Sequence, residues 1–260
     1  MDSGILYISA DDSYLTEAKQ SAQSVKSQMP DTPTAIITDT SSPGSMFDVV
    51  IERDDLTSSV VVKSNHIHRT PFNRTLYLDT DTYVTQPLDD IFDILDHYDI
   101  ATALEKGEHY DIGLPPSVAH RQGGVIAFKD TQRVTELFEL WREIYARQRE
   151  EGHMSDQPPL TKAVLESGVS IHTLPVEDNC LIYSGERLEG DVRIVHGHDE
   201  LAELARALNN SSRHRIFSSL FDNKIIFVDH DSLNHIELVY YSLKMDGLRT
   251  TIKRIGRALW

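Results

Sequence analysis

Residues 74–84 decide the fold, and they read Arg74-Thr75-Leu76-Tyr77-Leu78-Asp79-Thr80-Asp81-Thr82-Tyr83-Val84. The apolar run at 76–78 predicts a buried strand. Side chains two apart on an extended backbone point the same way, so Asp79 and Asp81 would converge just past this strand. Mg²⁺ and Mn²⁺ accept such carboxylates and keep other positions for water and substrate phosphates. Because open α/β sheets bind ligands beyond the carboxyl ends of their strands, the segment predicts a metal–diphosphate site. The alternative is a strand that enters an Asp-rich turn, with both side chains capping the backbone.

The composition narrows the class of protein. The 260 residues are 40% hydrophobic and 25% charged, which is typical of a globular protein. A net charge of −16 argues against a nucleic-acid binder. The single cysteine, Cys180, excludes an internal disulfide and a multi-cysteine zinc site. The N-terminus lacks the basic region of a signal peptide, and no apolar run approaches the roughly 18 residues of a spanning helix. We therefore expect a cytoplasmic protein.

The order of predicted elements indicates an α/β protein. Apolar runs predict strands at 5–9, 34–38, 47–51, 76–78, 99–104, 123–128, 170–174 and 192–196. Helical spacing predicts helices at 14–28, 57–69, 87–95, 131–150, 155–166 and 200–208. A hairpin is expected at 217–228 and a helix at 233–260. This alternation predicts a Rossmann-like, mostly parallel sheet flanked by helices. We expect one domain at 1–230 and an amphipathic helical appendage at 231–260.

Several separate stretches of the chain resemble one family. In chain order they are Ile5–Tyr14, Lys63, Leu76–Thr82, Gln122–Val125, Asp156-Gln157 and Val195-His196. Together they are similar to the nucleotide-sugar glycosyltransferases of the GT-A fold, in particular to family 8, the glycogenin and galactosyltransferase-like enzymes. The resemblance implies a GT-A-type mixed sheet. It also implies transfer of a sugar from a nucleotide-diphosphate sugar, UDP favoured, to a glycan, lipid-linked or protein hydroxyl, with retention of anomeric configuration.

The resemblance implies a role for each matching residue. The metal ligands would be Asp79, Asp81 and His196. The nucleotide and its phosphates would contact Tyr7, Ser9, Asp11, Ser13, Lys63, Gly123 and Gly124. The sugar and the reacting carbon would face Asp156, Gln157 and Gln122. An imidazole ligand favours Mn²⁺ over Mg²⁺ as the cofactor.

The sequence departs from the family at two places and leaves alternatives open. Gln122 stands where asparagine is usual, and Gly197-His198-Asp199 replaces the segment that normally supplies a phosphate-binding lysine. His198 is a second candidate ligand. For four predicted site residues a structural role remains open: a helix cap for Asp11, a solvated helix lysine for Lys63, a cap shared with Ser155 for Asp156, and an ordinary histidine for His196.

Two other functions also fit the Asp-x-Asp motif. A haloacid dehalogenase-like phosphatase would use Asp79 as its nucleophile. A non-catalytic module would bind the nucleotide sugar without transferring it. The C-terminal helix carries five Lys/Arg and two acidic residues over 236–260, a pattern that suits either an anionic membrane surface or packing on a partner. Homo-oligomerisation stays open.

Overall fold

The computed structural model describes residues 1–56, 61–105, 111–183, 185–198, 201–210, 215–218 and 224–227. The strands are β1 (Ser3–Ser9), β2 (Thr34–Thr38), β3 (Val49–Glu52), β4 (Arg74–Leu78), β5 (Thr82–Val84), β6 (Ile100–Leu104), β7 (Arg121–Lys129), β8 (Ile171–Thr173), β9 (Cys180–Leu181), β10 (Glu186–Leu188), β11 (Ile194–His196), β12 (Arg215–Ser218) and β13 (Lys224–Phe227). The α-helices are α1 (Asp12–Gln28), α2 (Val61–His66), α3 (Asp89–Ile94), α4 (Gln132–Glu150), α5 (Gln157–Ser167) and α6 (Leu201–Leu208). Short 3₁₀ turns cover Ile67–Arg69 and Val176–Asp178.

A mixed sheet forms the centre of the molecule. Its described strands follow the order β3-β2-β1-β4-β7-β6-β8. Neighbours pair in parallel except β7, which runs antiparallel to both β4 and β6. The predicted α/β sheet, mostly parallel and flanked by helices, is therefore confirmed. The Asp79–Asp81 segment leaves β4, the middle strand, at its carboxyl end.

Helices cover both faces of this sheet, and alternation along the strands divides the core between them. On β1, Ile5 and Tyr7 face the layer that contains α1 and α3, while Leu6 and Ile8 face the layer that contains α4 and α5. Trp141 of α4 is fully buried in the second layer. Burying one large apolar side chain stabilises a fold by about 1.5–3 kcal/mol, so both layers stabilise the sheet that carries the site.

A small second sheet brings distant parts of the chain to the end of β4. In it β11 lies between β5 and β9, antiparallel to β5 and parallel to β9. The register places His196 opposite Thr82, one residue after Asp81. Strands β5, β9 and β10 are only two or three residues long and were not predicted. The expected hairpin near the C-terminus is seen as antiparallel pairing of β12 and β13.

The helix ends test the capping predictions. Asp11 caps α1 by accepting hydrogen bonds from the backbone of Ser13 and Tyr14. The cap predicted for α5 is wrong: Asp156, not Ser155, holds the cap position, and its side chain makes no capping bond. The helical appendage predicted at 231–260 lies outside the described residues. Within the described part of the chain, no helix is long and apolar enough to span a membrane.

Candidate active site

Asp79 is held at the carboxyl end of β4 by three groups. Its backbone N–H donates to the carbonyl of Gly124 on β7 at 2.8 Å. The hydroxyl of Tyr77, two residues earlier on the same strand face, donates to Oδ1 at 2.6 Å. Nζ of Lys63 lies 3.2 and 3.1 Å from the two carboxylate oxygens. Burial and the negative charge of Asp79 raise the pKa of Tyr77 well above its ordinary value, so this hydroxyl stays a donor.

Asp81 and His196 complete a cluster with Asp79. Nε2 of His196 lies 3.3 Å from Oδ1 of Asp81 and 3.7 Å from Oδ2 of Asp79. Burial favours the neutral imidazole, but the hydrogen bond to Asp81 and the two carboxylate charges outweigh it and raise the pKa of His196. Burial likewise opposes ionisation of Asp81, and the bond and charge of His196 reverse that effect and lower its pKa.

The cluster suits a divalent cation. One ligand atom from each of Asp79, Asp81 and His196 lies within 4.8 Å of the other two. A cation bonded to each ligand at about 2.1 Å holds adjacent donors about 3 Å apart, so ligation requires only small side-chain movements. Gly124 makes room for the imidazole, since a Cβ there would lie 2.0 Å from Cε1 of His196. Two carboxylates and an imidazole therefore form a candidate donor set for a divalent cation.

His198, the second candidate ligand, is placed differently. Its side chain is 57% exposed, and Nδ1 lies 3.1 Å from Glu17 and 3.5 Å from Asp81. His196, by contrast, is buried and faces both carboxylates. The geometry therefore favours His196 as the imidazole ligand.

Lys63 is a buried cation at the base of the site. Its Nζ lies 3.1 Å from Asp79 and 3.1 Å from Asp156, and the side chain is 10% exposed. Burial disfavours the ammonium, but the charges of Asp156 and Asp79 outweigh it and raise the pKa of Lys63 above its ordinary value. The alternative of a solvated helix lysine is wrong. A Cβ on Gly123 would approach this Nζ to 3.2 Å, so the glycine leaves space beside the ammonium.

Asp156 and Gln157 start α5 beside Lys63. The backbone carbonyl of Asp156 accepts a hydrogen bond from the indole of Trp141 at 3.0 Å. Its carboxylate is directed to Lys63 rather than to the helix backbone, so a capping role is excluded. The side-chain oxygen of Gln157 accepts a hydrogen bond from Ser155. Both Asp156 and Gln157 line the same cavity as the metal cluster.

Gln122 is a buried residue of β7 at the floor of this cavity. Its amide oxygen accepts hydrogen bonds from the backbone N–H of Gly124 and from Nδ2 of Asn179 at 2.8 Å. Only 3% of Gln122 is exposed. This amide is therefore engaged with the protein on its oxygen side.

The four predicted nucleotide contacts at or just beyond the end of β1 lie next to the cavity and are not among the residues that line it. Tyr7 is fully buried in the layer below α1, where its hydroxyl bonds Ser21, and it does not line the cavity. Ser9 is buried and donates to the carbonyl of Asp11. Asp11 also accepts from the hydroxyl of Ser13, in keeping with its capping role.

One cavity joins the Asp79–Asp81–His196 cluster to Lys63, Asp156 and Gln157. It has a volume of about 350 Å³ and opens beyond the carboxyl ends of β1 and β4. Its lining includes Ile8, Ala10, Tyr14, Lys63, Tyr77, Asp79, Asp81, Gln122, Asp156, Gln157, Tyr183 and His196. A larger depression of about 800 Å³ between α1 and α6 shares Thr80, Asp81 and His198 with it.

Comparison with known proteins identifies the fold of the chain. No protein-family model matches the chain, and no curated protein matches its sequence. Among solved structures, the galactosyltransferase LgtC in complex with donor and acceptor sugar analogs superposes with a TM-score of 0.56 at 16% identity, over 81% of this chain and 95% of that one. Mouse xyloside xylosyltransferase 1 gives 0.52 at 16% identity, over 76% and 98%. The glycosyltransferase GlyE of Streptococcus pneumoniae TIGR4 gives 0.57 at 13% identity, over 81% and 61%.

The chain has the GT-A fold. The resemblance read from the separate sequence motifs is thereby confirmed at the level of the fold. In this GT-A chain, one cavity is lined by residues that are far apart in sequence. They are Asp79, Asp81, His196, Lys63, Asp156, Gln157 and Gln122.

Two residues of the GT-A site were missed from the sequence. Tyr77 could have been found, because it precedes Asp79 by two positions on a strand and so shares its face. Asn179 contacts His196 and Gln122 at 2.9 and 2.8 Å. It lies between a 3₁₀ turn and a two-residue strand, where no periodic pattern marks it.

Proposed function

We propose that this protein is a metal-dependent glycosyltransferase that transfers a sugar from a nucleotide-diphosphate sugar, UDP-sugar favoured, to an acceptor hydroxyl. One observation carries the proposal: Asp79, Asp81 and His196 converge at the mouth of a cavity that also contains Lys63 and Asp156. Two acids, an imidazole and a buried ammonium together suit a cation and a diphosphate. The solved glycosyltransferases that share the fold support the same class of reaction.

The metal ligands would hold the diphosphate end of the donor. Asp79, Asp81 and His196 would bind Mn²⁺, or Mg²⁺ less well, because an imidazole is a better ligand for Mn²⁺. When bound, the cation would neutralise charge that develops on the leaving nucleoside diphosphate. Lys63 lies next to Asp79 in the same cavity, where its ammonium would meet phosphate oxygens. Because Lys63 is buried, the local dielectric constant is low, which would strengthen the attraction between its ammonium and the phosphate.

The sugar end would lie against Asp156. Its carboxylate is 9% exposed and is held by Lys63, so it is preorganised beside the cavity. It would bind sugar hydroxyls or stabilise positive charge at the reacting carbon. Gln157 and Gln122 would shape the same pocket. Retention of anomeric configuration follows from the family resemblance and remains a proposal.

The nucleotide would lie over the end of β1. Ile8, Ala10 and Tyr14 line the cavity there, next to Ser9. Asp11 and Ser13, which form the helix cap, would present polar groups to the base. Tyr7 would support this wall from beneath, since it is buried on the other side of the strand.

Two alternatives remain distinct from this proposal. A phosphatase that uses Asp79 as its nucleophile is disfavoured because the motif follows the middle strand of a GT-A sheet, and the solved structures named above that share this fold are glycosyltransferases. Hydrolysis of an aryl phosphate that is lost in Asp79→Asn would support it. A non-catalytic binding module would show tight nucleotide binding and neither hydrolysis nor transfer.

Thermal stabilisation by a panel of nucleotide sugars, with and without Mn²⁺, tests the donor class. We expect a UDP-sugar to stabilise the protein in a Mn²⁺-dependent way, because a ligand that binds only the folded state raises its stability. Asp81→Asn should abolish the Mn²⁺ dependence, while Asp31→Asn, an exposed acid before β2 at the end of that strand opposite the site, should not. Absence of stabilisation by every nucleotide sugar tested would refute the proposal.

Kinetics test the role of Asp156. Asp156→Asn should reduce kcat by far more than it weakens donor binding, because a group that acts in the transition state changes turnover. Glu166→Gln, an exposed acid on the same helix, is the matched control. An equal loss in kcat and in donor affinity would reduce Asp156 to a binding residue.

Location and membrane contact are part of the proposal. We propose a cytoplasmic protein whose basic C-terminal segment, residues 236–260, either contacts an anionic membrane surface, which would suit a lipid-linked acceptor, or packs on the domain or a partner. Flotation with anionic liposomes of the full chain and of a chain lacking residues 246–260 tests this. Equal flotation of both proteins would exclude that segment as the membrane contact.

A further inference from the structure

A buried chain of hydrogen bonds runs from the backbone of β7 to the imidazole of His196. The backbone N–H of Gly124 donates to Oε1 of Gln122. Nδ2 of Asn179 contacts the same oxygen at 2.8 Å, and Oδ1 of Asn179 lies 2.9 Å from Nδ1 of His196. The three residues are buried, with exposed fractions of 3% for Gln122, 3% for Asn179 and 5% for His196. Water therefore has little access to these bonds.

The backbone group sets the direction of the whole chain. A peptide N–H can only donate, so the atom of Gln122 that it meets must be the amide oxygen. That oxygen can only accept, so Asn179 must present its NH₂ group to it. The carbonyl oxygen of Asn179 then faces His196. Since this oxygen can only accept, Nδ1 of His196 must carry a proton.

This direction decides which imidazole nitrogen can bind a cation. With Nδ1 protonated, the lone pair available for ligation is on Nε2. Nε2 is the nitrogen that faces Asp81 and Asp79, at 3.3 and 3.7 Å. Metal-binding histidines are ordinarily oriented by such a partner on the second nitrogen, which fixes both tautomer and ring angle.

We infer that Asn179 is the positioning residue of the metal site, and that the Gly124–Gln122–Asn179 chain holds His196 with Nε2, the nitrogen left to bind a cation, toward the two carboxylates. The inference rests on the metal site of the proposed function and assigns Gln122 a role there besides sugar binding. Asn179 is itself anchored, because its backbone N–H donates to the carbonyl of Val176 at 3.1 Å. A cation would thus meet a preformed ligand.

Calorimetric titration with Mn²⁺ of the full-length protein and of two variants tests this role. Asn179→Leu keeps the side-chain size and removes the acceptor, and we expect Mn²⁺ to bind about 10–100-fold more weakly. Asn179→Asp keeps an oxygen opposite Nδ1 but loses the donor to Gln122, and we expect a loss clearly smaller than that of Asn179→Leu, because a carboxylate also orients metal-bound histidine. Equal affinity of Asn179→Leu and wild type would overturn the inference, and so would an Asn179→Asp loss as large as that of Asn179→Leu.

A nitrogen-15 spectrum of wild-type protein labelled at histidine provides a measurement that does not depend on how the variants fold. With Zn²⁺ as a diamagnetic probe, His196 should show a protonated Nδ1 and a metal-bound Nε2. A protonated Nε2 with the metal on Nδ1 would overturn the inference and leave the metal site intact. If wild-type protein binds neither Mn²⁺ nor Zn²⁺, the metal site of the proposed function fails, and the role of Asn179 fails with it.

Discussion

The substitution Gly124→Ala should disable the metal site by displacing one ligand. The new Cβ would lie 2.0 Å from Cε1 of His196 and 2.9 Å from its Nε2. Carbon atoms in contact prefer separations of about 3.5–4.0 Å, so the ring must retreat by about 1.5 Å. Metal–ligand distances tolerate only about 0.2 Å of deviation. Mn²⁺ would therefore lose its imidazole ligand.

The magnitude follows from the number of ligands. Mutating a residue that only orients a metal ligand weakens metal binding about 10–100-fold. Removing one of the three ligands itself should therefore weaken Mn²⁺ binding about 100-fold or more. The overpacking itself should reduce the free energy of unfolding by about 1–3 kcal/mol. Titration calorimetry with Mn²⁺ measures the first effect, and urea unfolding without metal measures the second.

Gly190→Ala is the matched control for this experiment. A Cβ at Gly190 would meet its nearest neighbour, a carbon of Glu177, at 3.9 Å, which is an ordinary contact. Both the Mn²⁺ affinity and the stability of this variant should match wild type. A folded Gly124→Ala protein that binds Mn²⁺ as tightly as wild type would refute the reasoning, because His196 could not then be a ligand in the observed position.

Three further predictions concern stability, each measured by urea unfolding. Arg193→Met should cost about 3 kcal/mol by leaving the buried carboxylate of Asp178 unpaired, and adding Asp178→Leu should recover much of that loss. Asp99→Ala should cost about 1 kcal/mol of unfolding free energy near neutral pH. Burial raises the pKa of Asp99, but hydrogen bonds from the residue before β8 outweigh burial and lower that pKa. The cost of the substitution should therefore vanish as pH falls through the lowered pKa. Trp141→Phe should cost about 2 kcal/mol, since the Asp156 carbonyl loses its indole donor. The Arg193 argument fails if the double variant recovers no stability. The Asp99 argument fails if the cost does not change with pH, and the Trp141 argument fails if Trp141→Phe is as stable as wild type.

Elements with local signals were predicted well. The second strand was predicted at its observed bounds, Thr34–Thr38. The long helix α4 and the cap of α1 by Asp11 agree closely with the sequence pattern. Such features depend on neighbours in the chain, because side-chain period and capping bonds span only a few residues.

Features that depend on partners from elsewhere in the chain were missed or left open. Lys63 looks like a surface lysine in sequence, and only its ion pairs with Asp79 and Asp156 account for its burial. Strand β5 is three residues long, and its pairing with β11 defines it. Short strands lack a periodic signal of their own, so pairing partners decide them.

The amino-acid sequence by itself determined the alternation of strands and helices and placed two carboxylates at the end of β4, because both follow from the period of an extended chain. Only the tertiary structure decided that β7 runs antiparallel beside β4 and that β11 returns through the small sheet. Those pairings bring Gly124, Asn179 and His196 to Asp79 and Asp81. The physical reason is that a ligand set requires contacts between residues far apart in the chain, and packing, not local propensity, establishes such contacts.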